Sequence, residues 1–301
     1  MAQESPIVKV VVPVAGMGTR LLPATKSQPK EMLPVGRRPV VQYVVEELQA
    51  AGLSQILFVT GRKKSAIEDH FDPDPELVRT LCAGGGYALL DELQFTETDA
   101  RFYYTRQSVP RGLADAVGRA EDFCGDDPFV VALGDSIIMS RDGSNFLKEM
   151  IAAHVQSGAA CTIAVEEVEP SEVFRYGIVK PVASADLAGG FAIEDLIEKP
   201  RPETAPSNLA IAARYVCNPV IFEAIRRTAP DRNGELQLTD SIRLLRQLGH
   251  QVRALRLRPG ERRYDIGNFE SYFKAFIDFA VADEKYGYIV RQYLKRKARE
   301  F

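Results

Sequence analysis

Residues 7–14 read Ile-Val-Lys-Val-Val-Val-Pro-Val, a β-branched and almost wholly apolar run. A strand buried on both faces has that pattern, because neither side of its pleat meets water. A glycine turn follows at residues 16–20, then an irregular stretch punctuated by Pro23, Pro29, Pro34 and Pro39. Val41, Val44, Val45 and Leu48 recur at helical spacing, which predicts a helix over 40–51 ended by Gly52. A second buried strand is predicted over 55–60 and a second helix over 64–71. A strand over 102–106, a helix over 113–121 and a strand over 129–133 continue the alternation.

Strand and helix alternating at this spacing predict an α/β fold: a Rossmann-like, mostly parallel central sheet with helices on both faces. Ligands of such sheets sit at the carboxyl ends of the strands, so the Gly16 turn, Gln107 and Asp135 are expected around one crevice. Strand patterns at 161–165, 177–181, 193–198 and 210–217 are expected to extend the sheet. From Asn268 onward the pattern is helical. No internal repeat or low-complexity linker divides the chain, so a single domain over 1–301 is expected.

Charge and composition narrow the chemistry. A net charge of −3 leaves no broad basic field to hold nucleic acid. The basic tail, residues 291–299, reads as a solvated helix face. The four cysteines are scattered without a C-x-x-C pair, and the three histidines lie far apart. Structural zinc and a disulfide framework are therefore not expected, and a reducing cytoplasm is. The early apolar run is broken by Lys9 and Pro13, is too short to cross a bilayer, and leads into no small-residue cleavage pattern. Neither a membrane span nor a secretion signal is expected.

The candidate chemistry begins at the glycine turn. Gly16 and Gly18 follow a strand, where their backbone can turn tightly and aim N–H groups at a phosphate chain. Arg20 adds a permanently charged fork and Lys30 a mobile ammonium. A dinucleotide-binding turn would need a third glycine at position 21 and an acidic residue ending the second strand. Leu21 and Val59-Thr60-Gly61 stand there instead. No Walker P-loop is present.

Gly16-x-Gly-Thr-Arg20, followed by Pro29-Lys30-x-x-Leu-Pro34, resembles the signature of the sugar-nucleotide pyrophosphorylases. The longer string from Pro23 to Pro34 is similar to the bacterial UTP–glucose-1-phosphate uridylyltransferases. Segments in the same order agree: Val59 to Asp72, Arg106-Gln107 with Gly112-Leu113, Pro128 to Asp135, Tyr176-Gly177-Ile178, Glu198-Lys199-Pro200, Ser207-Asn208-Leu209, Gly234 to Asp240, and Arg263 to Gly267. Two departures stand out. Gly112-Leu-Ala-Asp115 replaces the family's usual Gly-Leu-Gly-His, and residues 81–99 match no familiar stretch.

The resemblance implies attack by a sugar phosphate oxygen on the α-phosphorus of a nucleoside triphosphate, with UTP and glucose 1-phosphate as the pair. Such a step brings two anions together, so positioning and charge stabilisation are the protein's means. Arg20, Lys30 and Lys199 are the candidate catalytic cations. Asp135, which follows an apolar strand at the sheet's carboxyl edge, can hold Mg²⁺, and the resemblance implies Asp265 as a second ligand. Read alone, an Asp at a strand end is as well explained as a helix cap or turn former. For the nucleotide, Ala15, Gly16, Gly18 and Gly112 would offer backbone contacts and room, Glu31 could reach the nucleoside, and Gln107 carries both an amide donor and an acceptor.

For the sugar, the resemblance implies Gly177, Glu198 and Lys199. Glu198 and Lys199 also read as an exposed ion pair, and Gly177 as a turn glycine. Adjacent strand residues point to opposite faces, so both can serve one ligand only if the strand ends or bends there, as Pro200 allows. The expected organisation is a nucleotide-binding half over about 1–135, a sugar-binding half over about 136–267 and C-terminal helices over 268–301. A homo-oligomer, dimer or tetramer, is expected. Two alternatives remain open: dTTP in place of UTP, and a non-catalytic regulatory homologue. Loss of Arg20, Lys30, Asp135 or Lys199 would support the latter, and all four are present.

Overall fold

In the computed structural model, residues 7–96, 98–140, 143–183, 185–187 and 189–300 are described. The apolar runs form the sheet's central strands. Strand β1 (Lys9–Pro13) lies between β2 (Gln55–Thr60) and β4 (Phe129–Ala132), parallel to both, and β2 carries the edge strand β3 (Arg101–Arg106). Because side chains alternate across a pleat, β1 feeds two cores. Val11 packs with Leu57, Val131 and helices α4 (Leu113–Gly118), α6 (Ile221–Arg227) and α7 (Leu238–Gln247) on one face. Val10 and Val12 pack with Ile56, Phe58 and helices α1 (Val40–Ala50), α2 (Ser65–Phe71) and α5 (Phe146–Ser157) on the other. This is the expected α/β arrangement, with helices on both faces.

The strand-rich region extends the sheet through β6 (Cys161–Glu167), β7 (Gly177–Pro181), β8 (Gly190–Glu198), β9 (Leu209–Cys217) and β10 (Val252–Arg256). The order across the sheet is β3-β2-β1-β4-β9-β6-β10-β8-β7. Seven of these nine strands run one way; β9 and β8 run against them. The sheet is thus parallel at the β1 end and mixed beyond β4. Strand β9 is irregular between Ile211 and Tyr215, where Ala213 takes φ 60°, and the Leu133 N–H donates to the Ala213 carbonyl (3.1 Å).

Arg214 follows this bend and is wholly buried. Its guanidinium reaches both carboxylate oxygens of Glu47 on α1 (3.1 and 2.6 Å) and the Ser136 carbonyl (2.8 Å). One buried cation therefore ties α1, β9 and the residue after Asp135 together. A separate two-stranded ribbon pairs β5 (Ser136–Ser140) with β11 (Glu261–Asp265). It rests with the loop residues Leu21 and Leu33 on helix α8 (Phe269–Ala282), whose Phe279 and Ala275 complete that core. The Asn268 side chain caps α8 by accepting from the Ser271 N–H (3.0 Å), and α9 (Gly287–Lys297) follows.

Local details differ from the sequence pattern. The helix predicted over 113–121 stops at Gly118, and a separate turn of helix spans Glu121–Cys124. Helix α3 (Pro75–Ala83), the helical turn Tyr87–Leu90 and the 3₁₀ segment Asp91–Thr96 occupy a region for which no element was predicted. Asp74 starts α3, its carboxylate accepting from the Glu76 and Leu77 N–H groups (3.1 and 2.9 Å). These elements bury no residue of their own, although Leu77, Val78 and Leu81 of α3 do recur at helical spacing. Strand β11, with its charged Glu-Arg-Arg-Tyr-Asp sequence, is silent in the pattern.

Candidate active site

The loop after β1 wraps around a lysine. Gly18 adopts φ 66°, a left-handed conformation that glycine takes without penalty, and the Thr25 hydroxyl donates to its carbonyl (2.7 Å). A 3₁₀ turn at Thr19–Leu21 leaves Arg20 exposed, and a second at Lys30–Met32 folds Lys30 back over the loop. A side chain at Gly16 would stand 3.7 Å from the Lys30 ammonium, and one at Gly18 would stand 3.3 Å from the Lys30 Cβ. The first distance is ordinary contact, so it is Gly18, with its left-handed backbone and tighter neighbours, that the loop requires.

Lys30 donates to Asp135 Oδ2 in a short charge-assisted contact. Burial alone would lower the lysine's pKa, but the charges of Asp135 and Glu31 outweigh it and hold the ammonium protonated well above its ordinary range. Burial would raise the pKa of Asp135, and the Lys30 charge reverses that, so Asp135 is held below its ordinary value. Gly134 makes the approach possible: a Cβ there would fall 2.5 Å from Val14 Cγ1, so only glycine lets the end of β4 pack beside the end of β1.

Asp265 arrives from the ribbon. It pairs in register with Ser136, and the Ile266 N–H donates to the Asp135 carbonyl (2.9 Å). Burial, and next the charge of Asp135, push the Asp265 pKa up; Arg263, Lys30 and Arg20 oppose that shift. Among the described residues, no group of three His, Cys, Asp or Glu side chains is placed to hold a metal ion. The acidic donors are these two carboxylates.

A cavity of about 400 Å³ opens beside the loop, lined among others by Ala15, Lys26, Gly61, Lys63, Lys64 and Gln107. A Cβ at Gly61 would meet the Ala15 carbonyl at 2.9 Å, so the ends of β1 and β2 touch at backbone level on its floor. Glu31 is the residue expected to be able to reach a nucleoside. Its side chain is instead 1% exposed and accepts from Lys64 Nζ (2.7 Å), so it supports Lys64. Burial raises the Glu31 pKa, against the pull of Lys64 and Lys30.

Gln107 is buried at the cavity's edge, its amide nitrogen donating to the Gly112 carbonyl (3.1 Å) and to Asp115 Oδ2 (2.7 Å). It therefore offers an acceptor, and not the donor and acceptor together that were expected. Gly112 takes φ 101°, and a Cβ there would lie 2.5 Å from the Leu236 carbonyl. The room its missing side chain provides is thus filled by Leu236, whereas a contact to a nucleotide had been expected to use it.

The expected sugar-side residues also meet. Strand β8 ends at Glu198, and Lys199 adopts φ 45°, turning its side chain back so that Nζ lies 3.3 Å from Glu198 Oε1. The bend that one ligand would require is therefore present at Lys199 itself. Glu198 accepts from the Thr239 hydroxyl (2.6 Å), and a Cβ at Gly177 would collide with that hydroxyl at 2.7 Å. The Lys199 N–H donates to the Tyr176 carbonyl (3.0 Å), and the Arg263 guanidinium stacks over the Tyr176 ring at 4.8 Å. Arg263 also stands 3.6 Å from Asp265 and pairs with Glu166. An unbroken chain of contacts therefore connects Lys199 to the two-carboxylate corner.

The nucleotidyl transferase family model matches residues 9–281, spanning every element of this site. The chain belongs to the nucleotidyl transferase family. A UTP–glucose-1-phosphate uridylyltransferase of Staphylococcus saprophyticus is 41% identical over 278 residues, 92% of this chain and 93% of that protein. Among solved structures, this nucleotidyl transferase is similar to a UTP-bound UGPase from Acinetobacter baumannii, with a TM-score of 0.88, 38% identity, and 96% and 98% of the two chains covered. It is also similar to a UDP-glucose pyrophosphorylase complexed with UDP-glucose, with a TM-score of 0.82, 36% identity, and 92% and 100% covered.

Residues that sequence reasoning did not single out also stand in this nucleotidyl transferase's site. Lys64 is buried at the cavity, Thr239 holds Glu198, and Arg263 braces Asp265. A sequence signal existed for Lys64, the third of three cations just beyond a strand's carboxyl end. None existed for Thr239, whose partner comes from another element.

Proposed function

We propose that this chain is an enzyme that joins UTP to glucose 1-phosphate, forming UDP-glucose and pyrophosphate. The observation that carries the reading is the 41% identity, over 92% of the chain, to a UTP–glucose-1-phosphate uridylyltransferase. The convergence of Lys30, Asp135 and Asp265 beside the Gln107 cavity supports it. A phosphate oxygen of glucose 1-phosphate attacks the α-phosphorus of UTP. The bond from that phosphorus to the bridging oxygen breaks, and pyrophosphate departs with the electron pair.

Each residue's part follows from its place. The backbone at Ala15, Gly16 and Gly18 cradles the triphosphate, with Arg20 and Lys30 drawing charge toward the leaving pyrophosphate. Gln107 meets the base. Glu198 accepts from sugar hydroxyls, Gly177 lets the backbone approach the sugar closely, and Lys199 meets the sugar phosphate. Members of this family generally use a divalent metal ion. We assign Mg²⁺ to Asp135 and Asp265, because that ion is satisfied by one or two carboxylates with waters and phosphate oxygens completing its shell. When bound it would neutralise charge on the phosphate oxygens.

The same reading divides the single domain into a nucleotide half and a sugar half, and places it in the cytoplasm. Among the described residues no helix is long and apolar enough to cross a membrane. A homo-oligomer, dimer or tetramer, is supported by exposed Phe273, Ile277, Tyr288, Ile289 and Tyr293 on the two C-terminal helices. The test of function is pyrophosphate release from a panel of nucleoside triphosphates against several sugar 1-phosphates with Mg²⁺. UTP with glucose 1-phosphate is expected to show the highest kcat/KM. A clear preference for dTTP or a purine triphosphate would sink the assignment.

A further inference from the structure

Gln107 stands at the end of β3, its backbone N–H donating to the Thr60 carbonyl (2.8 Å). Its side-chain amide nitrogen meets two groups, the Gly112 carbonyl at 3.1 Å and Asp115 Oδ2 at 2.7 Å. Both partners can only accept: one is a backbone carbonyl and the other a carboxylate. The amide therefore has one permitted orientation, since a half-turn would set its oxygen against two acceptors. Both partners are themselves held. Arg119, the residue just past the end of α4, reaches Asp115 Oδ1 (3.2 Å). The Gly112 loop is bound to Leu236 by the Ala114 N–H donating to the Leu236 carbonyl (2.9 Å) and the Leu236 N–H donating to the Arg111 carbonyl (2.7 Å). The other end of the amide, Oε1, receives no hydrogen bond from the described residues, and Gln107 lines the cavity.

We propose that Asp115 is a positioning residue for base selection: it locks Gln107 with its oxygen toward the cavity, so that the site takes uracil and rejects cytosine. The inference rests on the UTP reading above. The pairing edge of uracil carries one donor, N3–H, between two carbonyl oxygens. An outward Oε1 can be satisfied by uracil only at that hydrogen. Cytosine in the same register presents a lone pair at N3, so two acceptors face each other and a buried polar group goes unpaired. A site built to hydrogen-bond one partner discriminates strongly on that ground. Thymine carries the same N3–H, so this device leaves UTP and dTTP undivided. The contact to Gln107 gives Asp115 a role in this chain.

The test is the ratio of kcat/KM for UTP to that for CTP, with glucose 1-phosphate and Mg²⁺ saturating, in the full-length protein and in Asp115→Asn and Asp115→Ala. Asn at 115 can donate as well as accept, which opens the second orientation of Gln107; Ala removes the lock. In both, the ratio is expected to fall about ten-fold, the scale of one charge-assisted hydrogen bond, through a raised KM for UTP and a gain with CTP. Thermal melting shows which variants fold, and either one suffices. A folded variant that keeps the parent ratio, or that loses both nucleotides equally, overturns the lock and gives Asp115 a purely structural role. A parent protein that does not use UTP overturns the substrate reading and this inference with it. Loss of the lock alone leaves parental UTP turnover standing, so the two failures are distinguishable.

Discussion

Asp265 ends β11 and Asp135 directly precedes β5, the strand paired with it: Asp265 pairs with Ser136, and the N–H of Ile266 donates to the carbonyl of Asp135 over 2.9 Å. Their electrostatic positions differ. Asp135 is held ionised by Lys30, whereas burial and the charge of Asp135 push the Asp265 pKa up. A cation entering this corner would relieve the repulsion between them. Asp135→Asn and Asp265→Asn are each expected to lower kcat by about two orders of magnitude or more, the scale for losing a preorganised electrostatic contact. Folding should be retained. Steady-state assays across a Mg²⁺ titration check this, and near-normal Mg²⁺-dependent turnover in a folded Asp135→Asn protein would remove that residue from the mechanism.

The cations on the two sides of the cleft should fail differently. Lys199, half-exposed and beside Glu198, is assigned to the sugar phosphate, and Lys30, held among Asp135 and the glycine loop, to the departing pyrophosphate. Lys199→Ala is expected to weaken glucose 1-phosphate binding about ten- to hundred-fold, as loss of a charge-assisted contact to phosphate would. Lys30→Ala should lower kcat instead, because charge builds on pyrophosphate only as its bond to the α-phosphorus breaks. Direct binding titrations separate the two. Normal glucose 1-phosphate binding with lost UTP binding in Lys199→Ala would mean the subsites are reversed.

Gly177→Ala tests the fit around Glu198. The added methyl would lie 2.7 Å from the Thr239 hydroxyl, 2.8 Å from Ile211 Cδ1 and 3.1 Å from Glu198 Oε2, so it must displace Thr239, the partner of Glu198, together with Ile211. The KM for glucose 1-phosphate is expected to rise about ten-fold while the KM for UTP changes little. Equal changes in both constants would argue against a sugar-side role for Gly177.

The Arg214–Glu47 pair is expected to carry a large share of local stability, since Arg214 is wholly buried and Glu47 nearly so. Glu47→Ala leaves an uncompensated charge and should lower unfolding free energy by about 3–5 kcal/mol. The double variant Arg214→Met with Glu47→Leu should lose much less than the two single changes added together, because no orphaned charge remains. Urea denaturation gives both numbers, and simple additivity would contradict the coupling.

His154 predicts a pH dependence of stability. It is 3% exposed, bonded to Thr162 (2.9 Å) and Asn218 (3.2 Å), and burial lowers its pKa from 6.5. The unfolded chain therefore takes up the proton first as pH falls. The stability contribution is full above the unfolded pKa and is lost progressively as pH drops toward the folded one. Between pH 6.5 and 5.5 the loss is at most about 1.4 kcal/mol. Urea midpoints of the protein and of His154→Gln at the two pH values should show the smaller change in the variant; equal changes would show that other groups account for it.

The local sequence carried the parts of the fold that depend on near neighbours. The run around Val10 to Val12 is legible as a doubly buried strand because every residue in it must avoid water whatever lies on either side. The turn at Gly16 and Gly18 with Arg20 and Lys30 is legible because its conformation and its charge are both local. The two carboxylates could be nominated, but nothing local states that β11 pairs with β5 and brings them together. Helix α3 was not predicted although Leu77, Val78 and Leu81 recur at helical spacing, and the fold leaves that stripe unburied.

By itself, then, the sequence determined the α/β alternation, the glycine turn with its two cations and the family to which these belong, since each rests on residue type and short-range spacing. Only the tertiary structure decided the use of the polar groups. It turned Glu31 inward onto Lys64, filled the space beside Gly112 with Leu236, and fixed the amide of Gln107 against Asp115. The physical reason is that a hydrogen bond is decided by which acceptor or donor stands within about 3 Å, and in these cases that neighbour is brought there by the fold.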